Sequence, residues 1–145
     1  MYPDAPTTRA LLLEVGGHVL ALGARDARQV VALESTTPVP RSSPVLLGLI
    51  AVRGRIVPLV DLAALLGLEG VSPGERQGER AVLAGDGEEV FAFPVGDVLG
   101  FVQLGVTPAA PGALTAPATE HGGRAVSSLQ VAAIRAALAE RITVV

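Results

Sequence analysis

The chain is built from short apolar runs, most of them closed by glycine, proline or charge. Ala10 to Val15 is apolar except for Glu14, Gly16-Gly17 interrupts it, and His18 to Leu22 is mostly apolar again. Two β-prone runs joined by a glycine pair predict a hairpin. Ala24 to Gln29 is polar and alanine-bearing and predicts one helical turn, followed by a short strand over Val30 to Leu33. Ser35 to Pro44 carries prolines and serines throughout and predicts an extended connection. Pro44 to Val52 is then apolar with one glycine, Arg53-Gly54-Arg55 is a charged break, and Ile56 to Val60 is apolar again. That pattern predicts a second hairpin turning at Gly54. Pro58 has no N–H, so its strand is expected to be an edge or to be bulged there. Asp61 is placed to cap a short helix, with Leu62, Leu65 and Leu66 on one face and Gly67 as its stop.

The second half follows the same plan. Glu69 to Glu79 is a polar linker. Arg80 to Gly85, Asp86-Gly87 and Glu88 to Val95 predict another hairpin, and Val98 to Leu104 a strand. Thr107 to Gly123 is rich in Pro, Ala, Thr and Gly and reads as a long loop. Arg124 to Leu129 predicts a strand. Val131 to Leu138 predicts a helix with Val131, Ile134 and Leu138 on one face, and Ile142 to Val145 is expected to add a last strand. Residues 1–8 read as a tail.

The halves correspond in sequence. His18 to Ala27 (H-V-L-A-L-G-A-R-D-A) matches Glu89 to Val98 (E-V-F-A-F-P-V-G-D-V), 71 positions later. Val57 to Ala64 matches Val126 to Ala133 at an offset of 69. One unit of hairpin, turn, strand, loop, strand and short helix therefore occurs twice. About five short strands per unit are too few for an open sheet with one wet face. Closure into a small barrel would remove the exposed edges. The reading is an all-β protein with short helices: two pseudo-repeated five-stranded barrels sharing a core, over about 9–68 and about 80–138.

Composition narrows the functional classes. The chain has 145 residues, a net charge of −3 and no cysteine, and its eleven basic residues are all arginine. Disulfides and thiolate metal sites are excluded. There is no basic run for nucleic acid. Three phenylalanines and one tyrosine offer little stacking surface for bases. The longest uncharged apolar run, Pro44 to Val52, is far shorter than a bilayer span. The N-terminus is a poor signal peptide, and a cytoplasmic location is expected.

Candidate chemistry is sparse. His18 and His121 have no second histidine near them, and His121 has only Glu120 beside it, whereas a zinc site needs three or four ligands. Asp86, Glu88 and Glu89 cluster at a turn, without a calcium-loop pattern. Gly70-Val71-Ser72-Pro73-Gly74 matches G-x-S-x-G literally. A nucleophile elbow requires a strand before the serine and a helix after it, and here a predicted helix precedes and a polar stretch follows. No cofactor motif is present. Arg53 has two readings: a solubilising turn charge, or an exposed guanidinium whose planar fork pairs with a partner's carboxylate while adjacent valines supply burial.

The stretch Gly48-Leu49-Ile50-Ala51-Val52-Arg53-Gly54-Arg55-Ile56-Val57-Pro58-Leu59-Val60-Asp61-Leu62 resembles the CheW-like family, the adaptor domain of bacterial chemosensory arrays. Ala51 stands where that pattern usually has asparagine, and Gln130 where the second half often has aspartate. Gln29-Val30-Val31 stands where many relatives carry a glutamate. The resemblance implies one domain over 9–138 made of two SH3-like barrels. It further implies a non-enzymatic scaffold without cofactor, coupling the cytoplasmic tip of a methyl-accepting chemoreceptor to the regulatory domain of a CheA-like histidine kinase, in chemotaxis or in a PilI-like twitching role. Partner-binding positions would be Val52, Arg53, Gly54, Arg55 and Val57. Pro40, Gly48, Pro58 and Asp61 would be structural. The alternatives are a barrel module for another signalling partner, and a serine esterase using Ser72.

Overall fold

The structure is a computed structural model that describes residues 7–34, 36–39, 43–71, 79–86 and 89–142. The first half holds β1 (Thr7–Val15), β2 (His18–Gly23), β3 (Ala27–Ala32), β4 (Leu46–Val52), β5 (Arg55–Val60) and helix α1 (Leu62–Leu66). The second holds β6 (Arg80–Asp86), β7 (Glu89–Val95), β8 (Asp97–Gly105), β9 (Thr115–His121), β10 (Arg124–Leu129) and helix α2 (Val131–Ile142).

The strands form two five-stranded sheets, in the orders β8-β1-β2-β10-β9 and β3-β6-β7-β5-β4. Exchanging each strand for its repeat partner converts one order into the other. The repeat extends to single bonds. Asp61 N–H donates to Val45 O at 2.7 Å and Gln130 N–H to Leu114 O at 2.8 Å, one pair 69 positions after the other. The sheets do not follow the boundaries at about 9–68 and 80–138. The β1–β2 hairpin completes the sheet of β8, β9 and β10, and the β6–β7 hairpin completes that of β3, β4 and β5.

The predicted barrels are not closed. Chain beyond each sheet's end strand returns to the opposite end through one isolated bridge, Thr37↔Leu49 in one and Val106↔Ala118 in the other. Apolar side chains cover both faces of each sheet. Leu11, Leu13, Leu20 and Leu22 point into a central cluster with Val60, Phe91 and Phe93, which α1 and α2 seal through Leu62, Leu65, Ile134 and Leu138. Residues of opposite parity, Ala10, Leu12, Val19 and Ala21, fill a second cluster on the other face of the first sheet. Ile50, Val57, Leu59, Ala81, Leu83 and Ala92 do the same for the second sheet. A strand buried on both faces reads as a continuous apolar run, and this is why Leu11-Leu12-Leu13 does not alternate.

Four local expectations change. The turn after β2 spans Ala24–Asp26 and passes directly into β3, so residues 27–29 are strand and not helix. Thr115–His121 of the expected long loop is β9, held by antiparallel pairing to β10. Thr7 and Thr8 of the expected tail already pair with Gly105 and Leu104. The expected C-terminal strand gives way at its start to α2, which runs through Ile142, and residues 143–145 lie outside the described residues. Most of the Glu69–Glu79 linker also lies outside them.

Candidate functional site

The site begins at the β4–β5 turn. Val52 pairs with Arg55 across it, leaving Arg53 and Gly54 as a two-residue loop with φ of 50° and 80°. Positive φ at both positions is a type I′ turn, which matches strand twist and favours Asn-Gly or Gly-Gly. The β1–β2 turn has Gly16-Gly17 at 55° and 85°, and the β9–β10 turn has Gly122-Gly123 at 58° and 78°. Gly122-Gly123 is the repeat counterpart of Arg53-Gly54. Arg53 is the only non-glycine residue with positive φ among the described residues. A left-handed side-chain-bearing residue costs about 1–2 kcal/mol. The strain falls on an arginine that makes no hydrogen bond or ion pair among the described residues.

The surroundings of Arg53 are concave and lined by both polar and apolar groups. With Val52 it forms a ridge between two hollows. One, of about 330 Å3, is lined by Val31, Leu33, Glu34, Ile50 and Ala51. The other, of about 290 Å3, lies toward Arg28, Arg55 and Leu83. Ile56, immediately after Arg55, is 66% exposed, the highest value among the exposed large apolar side chains. A guanidinium on a tight turn beside hollows of mixed lining can pair with a carboxylate while exposed aliphatics such as Ile56 are buried against the same partner.

The positions expected for partner binding separate by exposure. Arg53, Gly54 and Arg55 are exposed and Val52 is half-buried. Val57 is 3% exposed and packs with Ile50, Leu59 and Leu83, so it forms the floor and not the contact surface. Ile56 was not legible as the exposed member of the pair, because both positions are β-branched and apolar. Counting outward from a two-residue turn is the signal that separates them.

The structural positions hold the corner in place. A Cβ on Gly48 would lie 2.5 Å from Thr36 Cγ2 and 2.6 Å from the Thr37 carbonyl. Its absence lets the segment after β3 lie against β4, where Thr37 and Leu49 exchange two backbone bonds of 2.9 and 2.8 Å. Asp61, 4% exposed, caps α1 by accepting from the Ala64 N–H at 3.1 Å, and Gly67 ends the helix in the left-handed region. Pro58 lies neither on an edge strand nor at a bulge. β5 sits between β4 and β7, the register shift falls between Leu46 and Gly48 in β4, and β5 pairs with β7 only at Leu59↔Ala92, which makes no demand on the missing N–H. Pro40 lies outside the described residues.

Other candidates are dispersed. The His18 ring is hydrogen-bonded to the Glu69 carbonyl at 2.7 Å, and His121 is exposed. Glu89 pairs with Arg135 at 2.9 Å. No group of three or more metal-ligating side chains occurs among the described residues. Ser72 lies outside them, and the residues leading to it follow α1 instead of a strand. No helix among the described residues is long and apolar enough to cross a membrane.

The CheW-like domain profile matches residues 9–136. The chain belongs to the CheW-like domain family. It is 32% identical over 94 residues to the chemotaxis protein CheW of Thermotoga maritima, an alignment covering 65% of this chain and 60% of that protein. The fold is similar to the crystal structure of the scaffolding protein TtCheW from Thermoanaerobacter tengcongensis. The TM-score is 0.71, over 86% of this chain and 90% of that one, at 16% identity. The Arg53-Gly54 corner lies within the matched residues.

Proposed function

We propose that this CheW-like protein is a non-enzymatic adaptor that couples chemoreceptors to a CheA-like histidine kinase in chemotaxis or twitching motility. Its partners are the kinase regulatory domain and the cytoplasmic tip of a methyl-accepting chemoreceptor, and it works in the cytoplasm without cofactor. Family membership and the scaffold-like fold support the reading. The observation that carries it is Arg53: the fold keeps a strained arginine, with no hydrogen bond or ion pair among the described residues, where its own repeat uses glycine. A residue that costs stability and makes no hydrogen bond or ion pair among the described residues is accounted for by an external contact.

The test is a pull-down of the kinase regulatory domain by the wild-type chain and by Arg53→Glu, with circular dichroism on both. The variant should keep its fold and lose the kinase. Equal capture by the two proteins contradicts the assignment. The esterase reading is separated by an ester-hydrolysis assay on wild type and Ser72→Ala. Activity present in the first and lost in the second would replace the adaptor reading.

A further inference from the structure

The two sheets close differently. Chain from one end of each sheet meets the other end once, at Thr37↔Leu49 in the second sheet and Val106↔Ala118 in the first, and the two bridges are repeat counterparts at an offset of 69. In the first sheet that seam is stitched on both sides of the bridge. β8 runs through Gly105, directly before Val106. The Thr119 hydroxyl donates to the Gly105 carbonyl at 3.1 Å, and the Thr107 N–H donates to the Pro117 carbonyl at 3.2 Å. In the second sheet β3 ends at Ala32, well short of Thr37, and the walls part into the hollow of about 330 Å3 between residues 31–34 and 50–53. No hydrogen bond crosses that hollow among the described residues.

Register shows which main-chain groups face the gap. Successive residues of an antiparallel strand turn their N–H and C=O to opposite edges. The Leu33 N–H donates to the Glu79 carbonyl at 2.8 Å, so Leu33 and Val31 face β6 and Ala32 turns its groups into the gap. Leu49 exchanges bonds with Thr37, so Ala51, two positions on, faces the gap from the β4 side. Ala32 and Ala51 are exposed and carry only methyl groups, which leave the main chain open to approach. Val31, Leu33 and Val52 are half-buried and pack against the second-sheet cluster. Glu34 and Arg53, both exposed, stand on opposite walls, and no ion pair joins them among the described residues.

An edge with unmet main-chain groups is a template for another strand. Resting on the reading of the Arg53 corner as a docking surface, we propose that the β3–β4 seam takes one extended segment of a protein partner as an added strand. The walls run antiparallel at Thr37↔Leu49, so a strand between them is antiparallel to one and parallel to the other. It lies antiparallel to β4, the stronger ladder, with main-chain bonds to Ala51 on that wall and to Ala32 on the opposite one. Four residues of wall span about 13 Å, room for a segment of about the same length. Its β-branched apolar side chains turn inward onto Val31, Leu33 and Val52. Its outward positions carry an acid for Arg53 and a base for Glu34. The first-sheet seam, already bonded, takes no strand.

The test is amide hydrogen exchange by NMR on the 15N-labelled chain with acetyl-Thr-Val-Glu-Val-Lys-Val-Thr-amide, and with the same peptide N-methylated at Glu, the central Val and Lys. Main-chain bonds supply the affinity in this mode, so the peptide needs no likeness to the natural segment. It should slow exchange of the Ala32 and Ala51 amides by about tenfold, one hydrogen bond's worth, and leave residues 105–107 and 118–119 unchanged. The methylated peptide should have no effect. Ala51→Pro removes a donor from the seam side alone, where an edge strand accepts proline, and should abolish the protection at Ala32. No protection at millimolar peptide, equal protection by the methylated peptide, or protection at both seams would each overturn the added strand. Capture of the kinase regulatory domain separates the two readings. Capture lost with Arg53→Glu but kept with Ala51→Pro would overturn the seam and leave the docking corner standing. Peptide protection at the seam, with neither the kinase domain nor the receptor tip bound by the wild-type chain, would leave the seam standing while the adaptor assignment falls.

Discussion

At the scale of single residues, strain and close approach mark what the chain cannot change cheaply. Arg53 occupies a left-handed position that asparagine fills with less penalty. Arg53→Asn should therefore stabilise the fold by roughly 1 kcal/mol, a rise of about 3 °C in Tm by thermal denaturation. An unchanged or lower Tm would show that the arginine makes a stabilising contact. Gly48→Ala should do the opposite and destabilise by about 1–3 kcal/mol, because its Cβ meets the Thr37 carbonyl, a backbone atom that cannot rotate away. Chemical denaturation would register that loss as a lower midpoint. The sequence showed Arg53 as a candidate but not its strain. R-G is an ordinary dipeptide until register fixes it as the two central residues of a type I′ turn. Val57 and Ile56 were indistinguishable for the same reason, since register alone decides which of two adjacent apolar residues faces outward.

At the scale of elements, helices and hairpins were legible and weak edge strands were not. The cap at Asp61, the stop at Gly67 and the Val131–Ile134–Leu138 face are local signals, and the structure carries all three. β9 escaped because T-A-P-A-T-E-H carries proline and buries only Ala116. Its strand character comes from pairing with β10. β3 was legible as a strand over Val30 to Leu33, but its start escaped because Ala27 and Arg28 read as a helical turn, whereas pairing with β6 makes them strand and bulge. The two helices also offer an internal comparison. α1 is capped by a carboxylate, while the Gln130 side chain before α2 donates instead to the Ser128 carbonyl at 3.4 Å. Asp61→Ala should cost about 1 kcal/mol, and Gln130→Asp should gain several tenths to about 1 kcal/mol. Urea titrations of the two variants measure both. A destabilised Gln130→Asp would mean that the α2 start does not share the geometry of α1.

At the scale of the molecule, the repeat was legible in sequence and the exchange of hairpins was not. Offsets near 70 follow from residue identity. Which hairpin completes which sheet depends on contacts between the halves, and no local pattern encodes them. That exchange makes the halves interdependent. A fragment ending within the linker loses two strands from one sheet and three from the other. Separate fragments 1–74 and 75–145 should each lack fixed tertiary structure by NMR and regain it on mixing. Dispersed spectra from either fragment alone would contradict this. The hollow beside the Arg53-Gly54 turn is itself shared between the halves, since its floor joins Val57 from the first to Leu83 and Val90 from the second. The most direct measurement is a calorimetric titration of the CheA-like kinase regulatory domain with the wild-type chain and with Arg53→Asn, taken alongside the Tm of each. The account predicts that the variant melts higher and binds at least about tenfold more weakly, because it exchanges a charged contact for a relaxed turn. A variant that melts higher and binds equally well would show that the corner is not where the partner docks.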